Sequence, residues 1–275
     1  MMRRARPYRS AMWVDVLLVF VVLVVIFPLI WILLTSLKGR FEIAAIPPRI
    51  FFKPTIENYD VVFVRDAFYR YFKDSIVIAL SSTALALFLG TMSAYSMTRY
   101  RVGGDFLPFW VISIRMFPPI AIILPVYILM RNLGLLDTYY SVVIMHTLLN
   151  LPFVVWLMSG FFKEVPNEID EAAMIDGCSI FSAFFRVILP VVLPGILATA
   201  VFCLITSWNE FLFSLVLSGR NVKTLPVAAA FYVTDRDILW GPMAAVGVTA
   251  SIPIIIFTIL IQKHLVRGLT YGAVK

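Results

Sequence analysis

Long apolar segments separated by short polar connections dominate the pattern along the chain. Six segments are long enough to cross a membrane, because about 20 residues at a helical rise of about 1.5 Å span the hydrocarbon core. They cover approximately residues 12–36, 75–97, 106–130, 139–162, 187–217 and 243–264. The pattern therefore predicts an all-α integral membrane protein, with a short tail at 1–11 and a single transmembrane domain at 12–275.

The second predicted span is rich in small side chains, which suit close contact between two helices in lipid. These residues are Ser81, Ser82, Ala84, Ala86, Gly90, Ser93 and Ala94.

The composition agrees with a membrane protein. Of the 275 residues, 61% are hydrophobic and 14% are charged, whereas soluble domains average about 45–50% and about 25%. The net charge of +7 comes from basic residues that flank the apolar spans. We therefore expect contact with lipid headgroups and not with nucleic acid.

The distribution of arginine predicts the orientation. The N-terminal tail and the short 98–105 loop are basic, whereas the short 131–137 loop on the other side holds only Arg131. Counting every loop gives eleven basic residues on each side, because the 37–74 loop alone carries seven together with five acids. Short loops determine topology more than long ones, so both termini and the 163–186 loop are predicted to be cytoplasmic.

The first half of the 163–190 connection is unusually acidic for a membrane protein. Its carboxylates are Glu164, Glu168, Asp170, Glu171 and Asp176. Pro166 ends the preceding helix, Asn167 is a suitable N-cap, and Gly177 is a suitable residue just beyond a helix C-terminus. These signals predict a short helix at 168–176, after which Ser179 can cap a second helix that runs toward Pro190.

Small and acidic residues share one side of this predicted short helix. Ile169, Ala172, Ala173 and Asp176 fall at helical spacing, and the alanines would allow another backbone to approach closely. The pattern indicates either a docking surface or a solvated linker with ordinary caps, and the residues alone leave both open.

The segment "EAAMIDGCSIFSAFFRVILP" resembles the EAA loop of ABC importer membrane subunits. The matching residues are Glu171, Ala172, Ala173, Gly177, Leu189 and Pro190, with Val187 where isoleucine is usual. Further matches are "PTIENYDVVF" at 54–63, "LGLLDTYYSVVI" at 133–144, "SWNEFLFSLVL" at 207–217 and "GLTYGAVK" at 268–275. Together they are similar to the MalG-type permease subunit of carbohydrate importers.

This resemblance implies the type I importer fold, with six transmembrane helices and a cytoplasmic coupling helix in a bacterial inner membrane. It implies a heterodimer with a second permease subunit, two cytoplasmic ATP-binding subunits and an extracytoplasmic solute-binding protein. The coupling helix would sit in a cleft of the ATPase through Glu168, Glu171, Ala172, Ala173, Asp176 and Gly177. A second ATPase contact would come from the tail residues Gly272, Ala273, Val274 and Lys275.

The chain lacks the residues that catalysis would need. No G-x-x-x-x-G-K-[ST] loop occurs, so ATP and magnesium are expected on partner subunits and no cofactor on this chain. Two histidines and two cysteines, Cys178 and Cys203, have no metal-binding or nucleophile spacing. We therefore predict a non-catalytic subunit with no metal site.

Polar residues within the predicted spans are candidates for a solute path, because they are costly in lipid and usually face a cavity or another polar group. They are Arg115, His146, Asn150, Asn209 and Glu210. Arg115 precedes the helix-interrupting Pro118 and Pro119, and such interruptions often line a path. The alternatives are that Arg115 pairs with Glu210 for assembly, and that the other polar groups hold helices together.

The sequence thus predicts a permease subunit that imports a sugar or sugar-like solute with ATP hydrolysed by its partners. The alternative is a secondary transporter driven by an ion gradient, which should show internal repeats and carboxylates in its core. No convincing repeat is present, and Glu210 is the one carboxylate well inside a predicted span. A third hypothesis is an intramembrane enzyme, but the chain shows no paired nucleophile and base that would support it. The identity of the solute stays open.

Overall fold

The computed structural model describes residues 12–270, with side chains from 13 to 259. The described residues form helices joined by turns and contain no strand, only one isolated bridge between Val233 and Ile238. They divide into two compact units. One comprises the described part of Met1–Ala67 with Tyr232–Thr249, and the other comprises Phe68–Phe231 with the described part of Ala250–Lys275.

The α-helices are numbered in chain order. The first unit contains α1 (Met12–Ser36), α2 (Arg40–Ile43), α3 (Glu57–Asp60) and the beginning of α14 (Trp240–Thr270), which continues in the second unit. The second unit contains α4 (Tyr69–Tyr100), α5 (Phe106–Ser113), α6 (Pro119–Asn132), α7 (Tyr139–Glu164), α8 (Asn167–Ile175), α9 (Ile180–Ala183), α10 (Leu189–Val191), α11 (Leu193–Asn209), α12 (Leu212–Leu217) and α13 (Leu225–Ala229). Short π-helical turns occur at Val61–Arg65 and Phe184–Ile188, and short 3-10 turns at Ile114–Met116 and Ala230–Tyr232.

Four described helices are long and apolar enough to cross a membrane, namely α1, α4, α7 and α14. Two bent helix pairs bring the number to six if each pair counts as one span. α1 has the predicted bounds, α7 begins at the predicted residue and ends two residues later, and α4 and α14 extend a few residues beyond the predicted spans at both ends. The predicted all-α architecture is confirmed.

The third predicted span is bent by 95° between Phe106–Met116 and α6. Phe117 and Pro118, each of which precedes a proline, have extended backbones with ψ of 130° and 122°. The ring of a proline disfavours the helical conformation of the residue before it. Two consecutive prolines therefore interrupt the helix here.

The fifth predicted span, at 187–217, is not one helix. The pair Ile180–Val191 and α11 is bent by 78°, and α11 ends at Asn209. The next residue, Glu210, is extended, and its carboxylate accepts the backbone N–H groups of Phe213 (2.8 Å) and Ser214 (2.9 Å). Glu210 therefore supplies acceptors for the free amides at the start of α12, which makes the break possible inside an apolar segment.

α4 packs along α7 through the small residues that the sequence singled out. Ser82, Ala86, Gly90 and Ala94 are buried, and their spacing of four residues places them on one face of the helix. A Cβ atom on Gly90 would lie only 2.6 Å from Cγ1 of Val154 in α7. The small-residue face of α4 is thus a close helix contact.

In the first unit, one asparagine fixes the chain that follows α1. The Asn58 side-chain amide donates to the carbonyls of Ser36 (2.9 Å) and Lys38 (2.8 Å), and the hydroxyls of Tyr59 and Ser36 lie 2.8 Å apart. A Cβ on Gly241 would meet the Asn58 side chain at 2.2 Å. The segment "PTIENYDVVF" therefore folds back onto the end of α1.

In the second unit, Asp137 joins two loops. Its carboxylate accepts the backbone N–H groups of Arg220 (3.0 Å), Asn221 (3.1 Å) and Val222 (3.1 Å). Burial favours the neutral acid, but these backbone donors outweigh it and hold the pKa of Asp137 below its ordinary value. The loop before α7 is thereby fixed to the loop after α12.

Substitution of Gly90 by alanine tests the α4–α7 contact. A helical glycine is usually about 0.5–1 kcal/mol less favourable than alanine, so Gly160→Ala in α7, where no atom lies within 4 Å of the new Cβ, should preserve or raise the unfolding temperature. Gly90→Ala should lower it, because the methyl group overlaps Val154. Equal shifts of the two variants in thermal unfolding in detergent would contradict the packing described here.

Substitution of Asp137 by asparagine should destabilise the protein in a pH-dependent way. Because the folded-state pKa is depressed, the stabilisation is present above the unfolded-state pKa of about 3.9 and is lost as the pH falls through the lower folded-state value. The difference in unfolding temperature between wild type and Asp137→Asn should thus be full near neutral pH and shrink below about pH 4. Asp105→Asn, an exposed carboxylate in another loop, is the matched control. If the difference in unfolding temperature does not change with pH, the charge of Asp137 does not stabilise the contact between the two loops.

Candidate functional site

The predicted short helix in the acidic connection is present as α8, one residue earlier than expected. Its N-cap residue is Pro166, and Asn167 is the first helical residue rather than the predicted cap. The side-chain carbonyl of Asn167 instead accepts from the guanidinium group of Arg99. A stronger donor on a neighbouring helix has therefore replaced the local capping interaction.

The end of α8 confirms the role of glycine. Gly177 has φ of +86°, the left-handed region that glycine occupies without strain. Its N–H donates to the Met174 carbonyl (3.1 Å), and the Cys178 N–H donates to the Ala173 carbonyl (3.0 Å). These two bonds form a Schellman motif. Ser179 then caps the next helix by accepting from the Ser182 N–H at 3.3 Å, as predicted.

Eight residues at or just beyond α8 are exposed, and only two of its residues are buried. The exposed residues are Asn167, Glu168, Glu171, Ala172, Met174, Ile175, Asp176 and Gly177. The buried residues are Asp170 and Ala173, which lie three positions apart and hence on one face. The prediction that both alanines share the outward face is therefore wrong for Ala173, whose small size serves packing within the chain.

The outward surface of α8 combines an apolar tip with carboxylates. Ile175 is 86% exposed, and Ala172 precedes it on the same side. Glu168, Glu171 and Asp176 are exposed around them. Such a surface suits a concave partner that has an apolar floor and a basic rim.

Two residues of α4 hold α8 in place, and sequence reasoning gave neither of them this role. Arg99 Nε lies 2.8 Å from Asp170 Oδ2, and the Tyr95 hydroxyl donates to Asp170 Oδ1 at 2.6 Å. Arg99 also donates to the Val165 carbonyl at 2.7 Å. The spacing of Tyr95 and Arg99, four residues apart at the end of a span, was the available signal.

Among the candidate path residues, His146 and Glu210 contact each other. His146 Nε2 lies 3.0 Å from Glu210 Oε2 and 3.1 Å from the Ser214 hydroxyl. His146 is 1% exposed, so its contacts join α7 to the break before α12. The alternative that these groups hold helices together describes them better than an open path does.

Asn150 has the same structural role one turn further along α7. Its side-chain amide donates to the Ser207 hydroxyl at 2.8 Å, and Ser207 in turn lies 3.0 Å from the Ser82 hydroxyl. Asn150 is 1% exposed. The interaction therefore ties α7 and α11 to α4.

Arg115 and Asn209 differ from the other candidates because both are exposed. The Arg115 guanidinium lies 4.8 Å from the centre of the Phe153 ring. The alternative in which Arg115 pairs with Glu210 is therefore not observed. Asn209 donates to the Ile205 carbonyl at 2.8 Å. The predicted tail contacts, Gly272, Ala273, Val274 and Lys275, lie outside the described residues, and so does the 1–11 tail.

Comparisons with known proteins agree with this arrangement. A family model described as "Binding-protein-dependent transport system inner membrane component" matches residues 86–271. The chain is 36% identical over 271 residues to a probable ABC transporter permease protein of Sinorhizobium fredii, covering 98% of each. It is 32% identical over 262 residues to the trehalose/maltose transport system permease protein MalG of Thermococcus litoralis, covering 94% of each. It is 34% identical over 274 residues to the trehalose transport system permease protein SugB of Mycobacterium tuberculosis, covering 97% of the chain and 98% of SugB.

The fold also matches a solved structure. A chain of a bacterial ABC transporter involved in the import of the acidic polysaccharide alginate superposes with a TM-score of 0.78, at 22% identity, over 94% of this chain and 99% of that one. The family match lies on α4 to α14 and includes α8. With its candidate spans, the chain is a multi-pass inner-membrane protein. The chain belongs to the family of binding-protein-dependent transport system inner membrane components, the permease subunits of ABC importers.

Proposed function

We propose that the chain is the permease subunit of an importer that carries a carbohydrate or a carbohydrate-like solute. The observation that supports the transport role is α8, an exposed acidic helix held on a multi-span scaffold. The solute class is supported by the relatives named for trehalose, for maltose and for sulfoquinovosyl glycerol. An ion-gradient-driven transporter has no support from these comparisons.

The proposed complex contains this chain, a second permease subunit, two ATP-binding subunits and an extracytoplasmic solute-binding protein. Both termini and α8 face the cytoplasm, in keeping with the basic N-terminal tail and with Arg99 and Arg101 at the end of α4. ATP and magnesium bind the ATP-binding subunits, and this chain binds no cofactor.

α8 is the proposed coupling helix. Ile175 and Ala172 enter a cleft of the ATPase, while Glu168, Glu171 and Asp176 meet basic groups on its rim. Ala173 acts from the inner face by letting α8 lie close to the rest of the chain. The C-terminal residues 272–275 are proposed as a second ATPase contact.

The proposed solute path lies between this chain and the second permease. Arg115 and Asn209 are the candidate residues that reach outward, and the bend between α5 and α6 presents Arg115. His146, Asn150 and Glu210 support the path from behind, because His146 Nε2, the Asn150 amide nitrogen and the Glu210 carboxylate contact groups on α7, α11 and α12.

Two substitutions of Gly177 separate backbone strain from steric bulk. No atom lies within 4 Å of a Cβ at this position, so a Cβ has room, but among residues other than glycine chiefly asparagine and aspartate adopt the left-handed conformation. Gly177→Val should distort the end of α8 and lower solute-stimulated ATP hydrolysis in proteoliposomes by about five- to thirty-fold, since the strain is roughly 1–2 kcal/mol. Gly177→Asn is the matched control and should retain most activity. If the valine variant assembles and works normally, α8 is not the coupling element.

Replacement of Arg115 by methionine tests the solute path. The proposal predicts that complexes form with a modest loss of yield but that uptake by proteoliposomes fails, because the guanidinium lies at the exposed bend rather than in an ion pair. Arg131→Met, which removes an exposed arginine at the end of α6, is the control. Normal uptake at normal yield would exclude Arg115 from the path, and a loss of yield alone would assign it to assembly.

A further inference from the structure

The polar contacts that join helix α8 to α4 all lie in its first half or just before it. The contacts of Arg99 reach Val165, Asn167 and Asp170, all at or before the middle of the helix. The second half, from Met174 to Gly177, is exposed. A force on the exposed end of α8 can therefore move the membrane helices only if the other end of α8 is held in a fixed orientation.

Arg99, Asp170 and Tyr95 form the anchor of α8. Within it, the contact between Arg99 and Asp170 is a buried ion pair. The side chains of Arg99 and Asp170 are 7% and 8% exposed. Their contact is an ion pair without a well-aligned hydrogen bond, because neither Arg99 Nε nor Asp170 Oδ2 has a hydrogen-bond partner among the described residues. A buried pair is strongly destabilised when one partner is removed, since the other charge is left uncompensated. Removal of either side chain is therefore expected to weaken the attachment of α8 to α4.

Aromatic rings enclose the third member of the anchor. The Tyr95 ring lies 5.5 Å from Phe162, 4.9 Å from Phe184 and 5.8 Å from Tyr100, measured between ring centres. Tyr95 is 5% exposed, and its hydroxyl reaches Asp170 from this packed position. The rings exclude water from the pair, which strengthens its electrostatic attraction.

We propose that Tyr95, Arg99 and Asp170 are positioning residues that lock α8 to α4, so that a displacement of α8 is delivered to α4 as one rigid body. α4 then carries the movement into the membrane through its packed face on α7. This inference rests on the proposed function of α8 as the coupling helix. It assigns to α4 a part in this transmission beside the π-helical segment Phe184–Ile188, which follows α8 in the chain and also contacts it.

Distance measurements in the complete complex test the rigid connection directly. Spin labels are placed at the exposed residues Met174 in α8, which has no proposed ATPase contact, and Leu89 in α4, with Cys178 and Cys203 replaced by serine and alanine. The inference predicts the same narrow distance distribution with and without bound ATP. In Asp170→Asn the distribution should broaden or shift with nucleotide. A wild-type distance that changes between the two states would overturn the proposal.

Coupling measurements supply the functional test. Asp170→Asn and Arg99→Met should assemble, retain basal ATP hydrolysis, and raise the ATP hydrolysed per solute imported by about tenfold or more, because a lone charge remains in a dry site. The double variant should uncouple no more than the worse single variant, since both charges are gone and the effects are not additive. Arg101→Met, which removes an exposed arginine two residues away, should keep the wild-type ratio. Strictly additive effects would refute the proposal that these residues fix α8 to α4. So would an unchanged ratio of ATP hydrolysed to solute imported in both single variants.

A change at the tip of α8 distinguishes failure of this inference from failure of the proposed function. Ile175→Glu alters the proposed ATPase contact but not the anchor. If Ile175→Glu uncouples the complex and Asp170→Asn does not, only the lock is wrong. If neither variant changes the ratio, α8 is not the coupling helix and both proposals fall.

Discussion

The structure depends on one constraint, which is that a polar group within an apolar segment must find its partner inside the protein. Lipid offers no hydrogen bonds, so every break in a helix leaves amides and carbonyls that other groups must satisfy. The break after α11 shows how this is done. Glu210 accepts the first amides of α12, and the His146 imidazole lies against the same carboxylate. The Glu210 side chain thus stabilises the bend after α11, the start of α12 and the contact of this region with α7.

The same constraint explains why α4 and α7 form the centre of the second unit. The small residues of α4 let α7 approach closely, and polar contacts fix the pair at each end. At the start of both helices the Tyr139 hydroxyl donates to Asp74, and near their ends Arg99 reaches the Val165 carbonyl just beyond α7. Because both ends are fixed, α4 and α7 are suited to move as one body. A permease that lacks ATPase activity of its own, and works with partner ATPases, requires such a connection.

The sequence predicts features that rest on local rules and misses those that depend on distant partners. The length of the first apolar segment predicts α1 correctly, and Pro166, Gly177 and Ser179 predict the turns around α8. Each of these three residues acts only on the backbone next to it. The cap at Asn167 was wrong because Arg99, 68 residues away, binds that side chain. The orientation of Ala173 was wrong for a related reason: the face of α8 is set by Asp170, whose partners lie on α4. The break at Glu210 was missed because its cause is a side chain that caps the following helix.

The polar residues of the membrane segments divide into those that are engaged within the chain and those that are free to face outward. His146, Asn150 and Glu210 contact neighbouring helices. His146 and Asn150 are also buried, although His146 Nδ1 and Asn150 Oδ1 have no hydrogen-bond partner among the described residues. Arg115 and Asn209 are exposed, and Arg115 lies in a 3-10 turn two residues before the extended backbone of Phe117. A chain that uses most of its buried polar groups to hold itself together has few left for recognition. If the solute follows the proposed path, discrimination between solutes depends largely on surfaces that this chain shares with the second permease.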